Sequence, residues 1–158
     1  MSHRPSGLLL FLLLTKVAVY AQTIEPVRGA KVIELTTNLS DSVMYKTIGR
    51  ILIDEGYIFK AHKALLGFIT NERPLPNSPV FHYSASIVIH QGNIKITGML
   101  RNTLKFNRRK KAAVDKGKPI DYRTAQNDMR GPAFNQLDEL AHALTVPMVT
   151  AITAYSKR

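Results

Sequence analysis

Apolar and polar residues alternate along residues 80–90 in the two-residue period of a β-strand. The odd positions are apolar, namely Phe81, Tyr83, Ala85, Ile87 and Ile89. The tripeptide 91–93 (Gln-Gly-Asn) is typical of a turn, and the alternation resumes over 94–101. A sheet with one polar and one apolar face is typically antiparallel, and its apolar face needs a covering layer.

The residues before this hairpin predict one strand and one helix. Residues 31–37 are rich in β-branched side chains and predict a first strand. Apolar residues then recur at helical spacing, which predicts a helix over 41–55. Asn38 and Ser40 offer N-cap side chains, and Gly56 is a typical C-cap.

Four further segments complete the prediction. Residues 57–62 and 65–71 form a second hairpin, and the three prolines of 72–79 favour a loop. A last apolar stripe runs through 132–155 and keeps its helical phase across Pro147, which predicts one bent helix. The fold class is therefore α+β, a four- to five-stranded antiparallel sheet with two helices packed on one face, in the order β-α-β-β-β-β-α.

The N-terminus has the three parts of a secretory signal peptide. His3 and Arg4 provide positive charge, residues 8–14 are apolar, and small residues precede the bond between Ala21 and Gln22. A membrane anchor is the alternative, but the apolar run is short for a span of roughly 20 residues and Lys16 interrupts it. No other segment is long and apolar enough to span a membrane.

This pattern divides the chain into a signal peptide (1–21), a flexible lead-in (22–30) and a single α+β domain (31–158) with a basic loop at 102–131. Cleavage at Ala21–Gln22 predicts an exported protein, periplasmic or extracellular. The absence of cysteine excludes disulfides, thiolate ligands, a cysteine nucleophile and a lipid anchor through cysteine.

The chain is strongly basic. Twenty-two Lys and Arg against eleven Asp and Glu give a formal charge of +11. Such a balance favours anionic partners, namely nucleic acid, phospholipid headgroups or acidic polysaccharide. Export argues against a genomic nucleic-acid role.

Most of the charge lies in one stretch. Residues 101–131 hold ten basic and three acidic residues, a local charge of +7. The basic segment 101–118 is the strongest candidate binding site, and its candidate residues are Lys105, Arg108, Arg109, Lys110 and Lys111. Phe106 and Tyr122 could stack beside them. A solvated charged loop is the alternative.

The polar face of the predicted sheet is a second candidate. It carries His82, Ser84, Ser86, His90, Lys95, Thr97 and Arg101. His82, Lys95 and Arg101 would contact a polar or anionic partner, whereas the alternative is a solvated face that any two-layer domain needs.

The sequence contains no recognisable catalytic, metal or cofactor motif. There is no Gly-x-Ser-x-Gly elbow, and His90 comes eight positions after His82, which separates them by over ~25 Å in an extended strand. We therefore expect a non-enzymatic envelope domain that acts by binding an envelope protein or an anionic surface. A binder of polyanions through 101–118 and a hydrolase with an unrecognised site are the alternatives.

Three stretches carry a resemblance to known domains, namely "SDSVMYKTIGRILIDEGY", "GFITNERPL" and "YSASIVIHQGNIKITG". In this order they resemble small exported bacterial domains of unknown function with a TATA-binding-protein-like, or helix-grip, layout. The resemblance implies an envelope location and a β-α-β-β-β-β-α fold. It implies no catalytic residue, and the basic loop departs from the compact form.

Overall fold

A computed structural model describes residues 24–104, 117–123, 128–148 and 150–157. The predicted signal peptide lies outside these residues. The helices and strands, in chain order, are β1 (Val32–Thr36), α1 (Asp41–Asp54), β2 (Phe59–His62), a 3-10 turn (Lys63–Leu65), β3 (Gly67–Thr70), β4 (Arg73–Leu75), β5 (Ser78–His90), β6 (Asn93–Asn102), β7 (Lys118–Pro119), α2 (Arg130–Thr145) and β8 (Ala151–Ser156).

The described strands form one open antiparallel sheet. Its main path is β2-β3-β5-β6-β1-β8, and the short strands β4 and β7 pair with β5 and β6. The α+β class with an antiparallel sheet is confirmed, but the sheet has eight strands rather than the predicted four or five.

The central hairpin forms where the alternation predicts it, except that Asn93, which was predicted in the turn, begins β6. His90 lies opposite Asn93 and Phe81 opposite Asn102, with Gln91 and Gly92 in the turn. The apolar side chains of the alternating pattern face the core, and the buried ones are Tyr83, Ala85, Ile87, Ile89, Ile94 and Ile96. Two-residue periodicity thus sorted these side chains between the two faces of the sheet.

Helix α1 is fixed to this hairpin by its first residue. The Asp41 carboxylate accepts hydrogen bonds from the backbone N–H groups of Gln91 (3.1 Å) and Gly92 (3.0 Å). These hydrogen bonds lower the pKa of Asp41, with Gly92 contributing most. The Ser40 side chain makes no capping hydrogen bond, contrary to the prediction.

Both helices cover the same side of the sheet. In α1, a Cβ placed on Gly49 would lie 3.6 Å from the ring of Phe68 in β3, which is paired with Ile87. In α2, the Leu137 side chain approaches Gly98 of β6. Gly98 pairs with Ala85, and the side chains of Ala85 and Ile87 point to the same side of the sheet because the two residues are two positions apart on β5. Helices α1 and α2 therefore cover the same face. No helix in the described part of the chain is long and apolar enough to cross a membrane.

The predicted loop 72–79 is partly strand. Arg73 pairs with Tyr83 and Pro74 with His82. Strand β4 therefore pairs with the same edge of β5 as β3 does, beyond the end of β3. Proline lacks a backbone donor and is tolerated at such an edge, where one side of the strand needs no partner.

The predicted helix 132–155 is wrong in its second half. Helix α2 ends at Thr145, and the chain turns at Val146–Met148 and returns as β8 beside β1. Pro147 ends the helix rather than bending it, because it has no N–H to donate and crowds the preceding turn. The added strand gives β1 an antiparallel neighbour on each side.

Parts of the predicted lead-in and basic loop are built into the sheet. The N–H of Gly29 donates to the carbonyl of Tyr122, and that of Tyr122 donates to Ala30. Strand β7 pairs with Met99 and Leu100, and Ile120 is fully buried. Residues 117–123 therefore lie beside β6 on the same edge as β1, beyond the end of β1.

Candidate functional site

The side of the sheet turned away from α1 and α2 is here called the outer face. It carries all seven residues that the sequence assigned to a polar face, and each is partly or fully exposed. Across β5 and β6, His82 lies opposite Arg101 and Ser86 opposite Thr97. These seven residues therefore share one exposed side of the sheet.

The outer face also carries apolar side chains that the sequence analysis missed. Ile69 of β3 is 48% exposed and Met99 of β6 is 41% exposed, and Val88 of β5 is exposed as well. Cross-strand pairing places Ile69 opposite Ser86, Met99 opposite Ser84 and Val88 opposite Lys95. Val88 was the available signal, since it is an apolar residue at an even position of the 82–90 alternation.

Small side chains beside these apolar ones leave two shallow grooves. The first, of about 440 Å³, runs between Ile69 and Pro119 across Ser84, Ser86 and Met99. The second, of about 650 Å³, is lined by Val32, Glu34, Val88, Lys95, Thr97 and Ser156. Thr97 lines both grooves, so they are neighbours on one surface.

The basic residues predicted on this face do not converge on one point. The Lys95 ammonium lies 3.5 Å from Glu34, and the Arg101 guanidinium lies 3.0 Å from Glu72. His82 Nε2 lies 3.2 Å from the carbonyl oxygen of Pro79. Exposed ion pairs contribute little to stability, about 0–1 kcal/mol, so both cations can be redirected to an anionic partner at small cost.

The remaining predicted binding residues, Lys105, Arg108, Arg109, Lys110 and Lys111, lie outside the described residues. The described flanks of their segment are fixed on β6. The Thr103 N–H donates to the carbonyl of Val80, and β7 begins at Lys118 opposite Leu100. The basic segment thus leaves from the strand that carries the outer face and returns to it.

Two arginines of the predicted basic loop belong to a charge-balanced cluster. Arg123 binds the buried carboxylate of Asp121 through Nη2 (2.9 Å) and Nε, and Arg130 binds Asp128 through Nη2 (2.6 Å) and Nε. Arg130 also lies 3.4 Å from Asp121, and Arg123 lies 3.8 Å from Asp128. These arginines hold α2 against residues 117–123 and do not form a basic patch.

This cluster should make stability depend on pH in the acidic range. Hydrogen bonds from Arg130 lower the pKa of Asp128 from its usual 3.8 to about 2. The stabilisation by Asp128 is complete above a pH of about 4 and is lost as the pH falls to about 2. We expect D128N to lower the melting temperature at neutral pH and to weaken its fall between about pH 5 and about pH 2.

Thermal unfolding followed by circular dichroism checks this expectation. D54N, which alters an exposed carboxylate at the end of α1, is the control. A D128N profile parallel to that of the unmodified chain over the acidic range would show that Asp128 is not the group responsible.

A small polar cleft of about 170 Å³ lies on the helix side of the sheet, between α1, β4, β5 and α2. The Tyr83 hydroxyl lies 3.3 Å from that of Tyr57 and donates to Gln136 (3.4 Å). Arg73 stacks over the Tyr57 ring at 4.3 Å and donates to the Glu55 carbonyl. No sequence motif predicted this network, because its residues come from β4, β5, α2 and the loop after α1.

The chemistry of the cleft is that of hydrogen bonding. Burial is the main cause that raises the pKa of Tyr83, and the hydrogen bond with Tyr57 adds to it. The phenol acts as a hydrogen-bond donor to Gln136 in this network.

Among the described residues, no group of three or more His, Asp or Glu side chains is placed to hold a metal ion. No protein-family model matches the chain, and no curated protein is detectably similar to it.

Proposed function

We propose that the chain is an exported, non-enzymatic envelope domain that acts by binding an anionic surface through the outer face of its sheet. The observation that carries this proposal is the composition of that face. Exposed apolar side chains (Ile69, Val88 and Met99) lie among small polar ones, in shallow grooves that no described helix covers. Exposed apolar groups with a polar rim are typical of interaction surfaces.

The charge of the face supports an anionic partner. Lys31 borders the first groove, and Lys60 lies opposite Ile69 on the edge strand β2. Neither lysine forms an ion pair with another described residue. The described flanks of the basic segment lie on β6 and β7, where Met99 pairs with Pro119, and both of these residues line the first groove.

The same proposal includes the layout suggested by the resemblance. Without β4, β7 and β8, the element order is β1-α1-β2-β3-β5-β6-α2, which is β-α-β-β-β-β-α. We take this order as the TATA-binding-protein-like core, to which the two short strands and the C-terminal strand are additions.

Neutralising the basic segment tests the proposal. The test uses the chain from Gln22 and vesicles of equimolar phosphatidylcholine and phosphatidylglycerol. A basic residue near an anionic membrane contributes about 1 kcal/mol. The variant R108Q/R109Q/K110Q/K111Q should therefore bind at least about 10-fold more weakly in co-sedimentation, and its affinity should depend less on NaCl concentration.

A matched pair of double variants controls for net charge. R108Q/R109Q and K46Q/R50Q each remove two positive charges, but Lys46 and Arg50 lie exposed on α1, on the opposite side of the sheet. Only the first should weaken vesicle binding. Equal affinities and equal salt dependences for both variants and the unmodified chain would reject electrostatic binding by this segment.

A further inference from the structure

Two adjacent leucines lie exposed at the tip of the β2–β3 hairpin. Leu65 is 59% exposed and Leu66 is 38% exposed. Leu65 ends the 3-10 turn and Leu66 connects it to β3, at the opposite end of the sheet from the flanks of the basic segment. Two neighbouring exposed leucines are an unfavourable arrangement in water unless a partner covers them.

The backbone holds this leucine tip (Leu65 and Leu66) in a defined conformation. Leu66 has φ of +42°, a left-handed conformation that residues other than glycine rarely adopt. Its carbonyl accepts a hydrogen bond from the N–H of Ile89 (3.0 Å). At Gly67 a Cβ would overlap the carbonyl oxygen of Ile87, so only glycine fits there. Strained backbone that the surroundings maintain is common at functional sites.

The surroundings of the tip are apolar and basic. Ile69 is exposed on β3 and Ile58 is exposed just before β2, and β2 itself carries Lys60 and His62. The sequence from 56 to 71 contains no Asp or Glu. An anionic phospholipid bilayer complements both features, because its apolar layer lies beneath negatively charged headgroups.

We propose that Leu65 and Leu66 insert into the apolar boundary of an anionic phospholipid bilayer when the outer face docks on it. This inference rests on the proposed function and specifies its anionic surface as lipid. The leucine tip then anchors its end of the outer face in the bilayer.

A tryptophan reporter tests insertion directly, because the chain contains no tryptophan. In L65W the indole replaces the more exposed leucine of the tip. With vesicles of equimolar phosphatidylcholine and phosphatidylglycerol, its emission should shift to shorter wavelength and be quenched by brominated acyl chains. I53W is the control, since Ile53 is 66% exposed on α1, on the helix side of the sheet. Its emission should not change.

A second pair of variants measures affinity. Burial of two leucine side chains changes partitioning by on the order of 100-fold, so L65S/L66S should bind these vesicles at least about 10-fold more weakly. I53S should bind like the unmodified chain. Circular dichroism spectra that match the unmodified chain establish that the serine variants are folded.

The outcomes separate this inference from the proposed function. If the unmodified chain binds the vesicles while L65W emission is unchanged and L65S/L66S keeps full affinity, insertion is rejected and electrostatic docking stands. If the unmodified chain does not bind at all, both fail. If light scattering shows a dimer that L65S/L66S abolishes, a second copy covers the leucine tip and the lipid proposal is overturned.

Discussion

Replacing Phe134 by alanine should lower the free energy of unfolding by about 3 to 5 kcal/mol. The Phe134 side chain is fully buried, and its ring centroid lies 5.4 Å from that of Tyr122 and 6.0 Å from that of Tyr155. It therefore joins α2 to the segment after β7 and to β8. A cavity at this position removes contacts from all three, and backbone held by a sheet cannot collapse to fill it.

Urea unfolding measures the effect. I53A is the control, because truncation of a side chain that is mostly exposed should change stability by less than about 0.5 kcal/mol. A loss below about 1 kcal/mol in F134A would mean that α2 does not seal the core as described.

Replacing Gly67 by alanine should be nearly as damaging, although it adds a single methyl group. The new Cβ would overlap the carbonyl oxygen of Ile87 on β5. Since that oxygen belongs to the backbone of a central strand, it cannot move aside as a flexible side chain could. We expect a loss of about 3 kcal/mol, the upper end of the usual cost of overpacking, with weakened pairing of β3 to β5.

G49A is the matched glycine control, with the opposite sign. A Cβ at Gly49 would meet the Phe68 ring at 3.6 Å, which is ordinary contact, and alanine is a better helix former than glycine. G49A should stabilise the chain by up to about 1 kcal/mol. Equal effects of G67A and G49A in urea unfolding would contradict the close approach at Gly67.

The sequence predicted the elements whose apolar period is unambiguous. Helix α1 and the β5–β6 hairpin appear where the pattern placed them, because burial of one face fixes both the period and the register. The short strands β4 and β7 were missed, since two or three residues beside prolines carry no period.

The error at the C-terminal strand has a specific physical cause. Ile152 and Tyr155 are three residues apart, the spacing of one helical turn, yet they pair with Leu35 and Ile33, which are two apart on β1. A β-bulge supplies the extra residue, so both side chains occupy core-facing register positions. A bulged strand can therefore imitate a helical stripe, and the β-branched residues of 149–153 were the signal against a helix.

The sequence predicted the polar residues of the candidate site but not its apolar residues. Alternation predicted its polar members, including His82, Lys95 and Arg101. Its apolar members come from three separate strands, and only the strand order brings Ile69, Val88 and Met99 to one surface. For the same reason, Arg123 and Arg130 looked like part of a basic loop until Asp121 and Asp128 were seen beside them.

The outer face as binding surface is tested most directly by hydroxyl-radical footprinting with and without vesicles of equimolar phosphatidylcholine and phosphatidylglycerol. Met99, Leu65 and Leu66 should become protected from oxidation when the chain is bound. Val43 and Ile53, which are exposed on α1, should react at unchanged rates. Protection of the two α1 residues with Met99 and the leucines unchanged would show that the chain binds through its helices and would contradict the account.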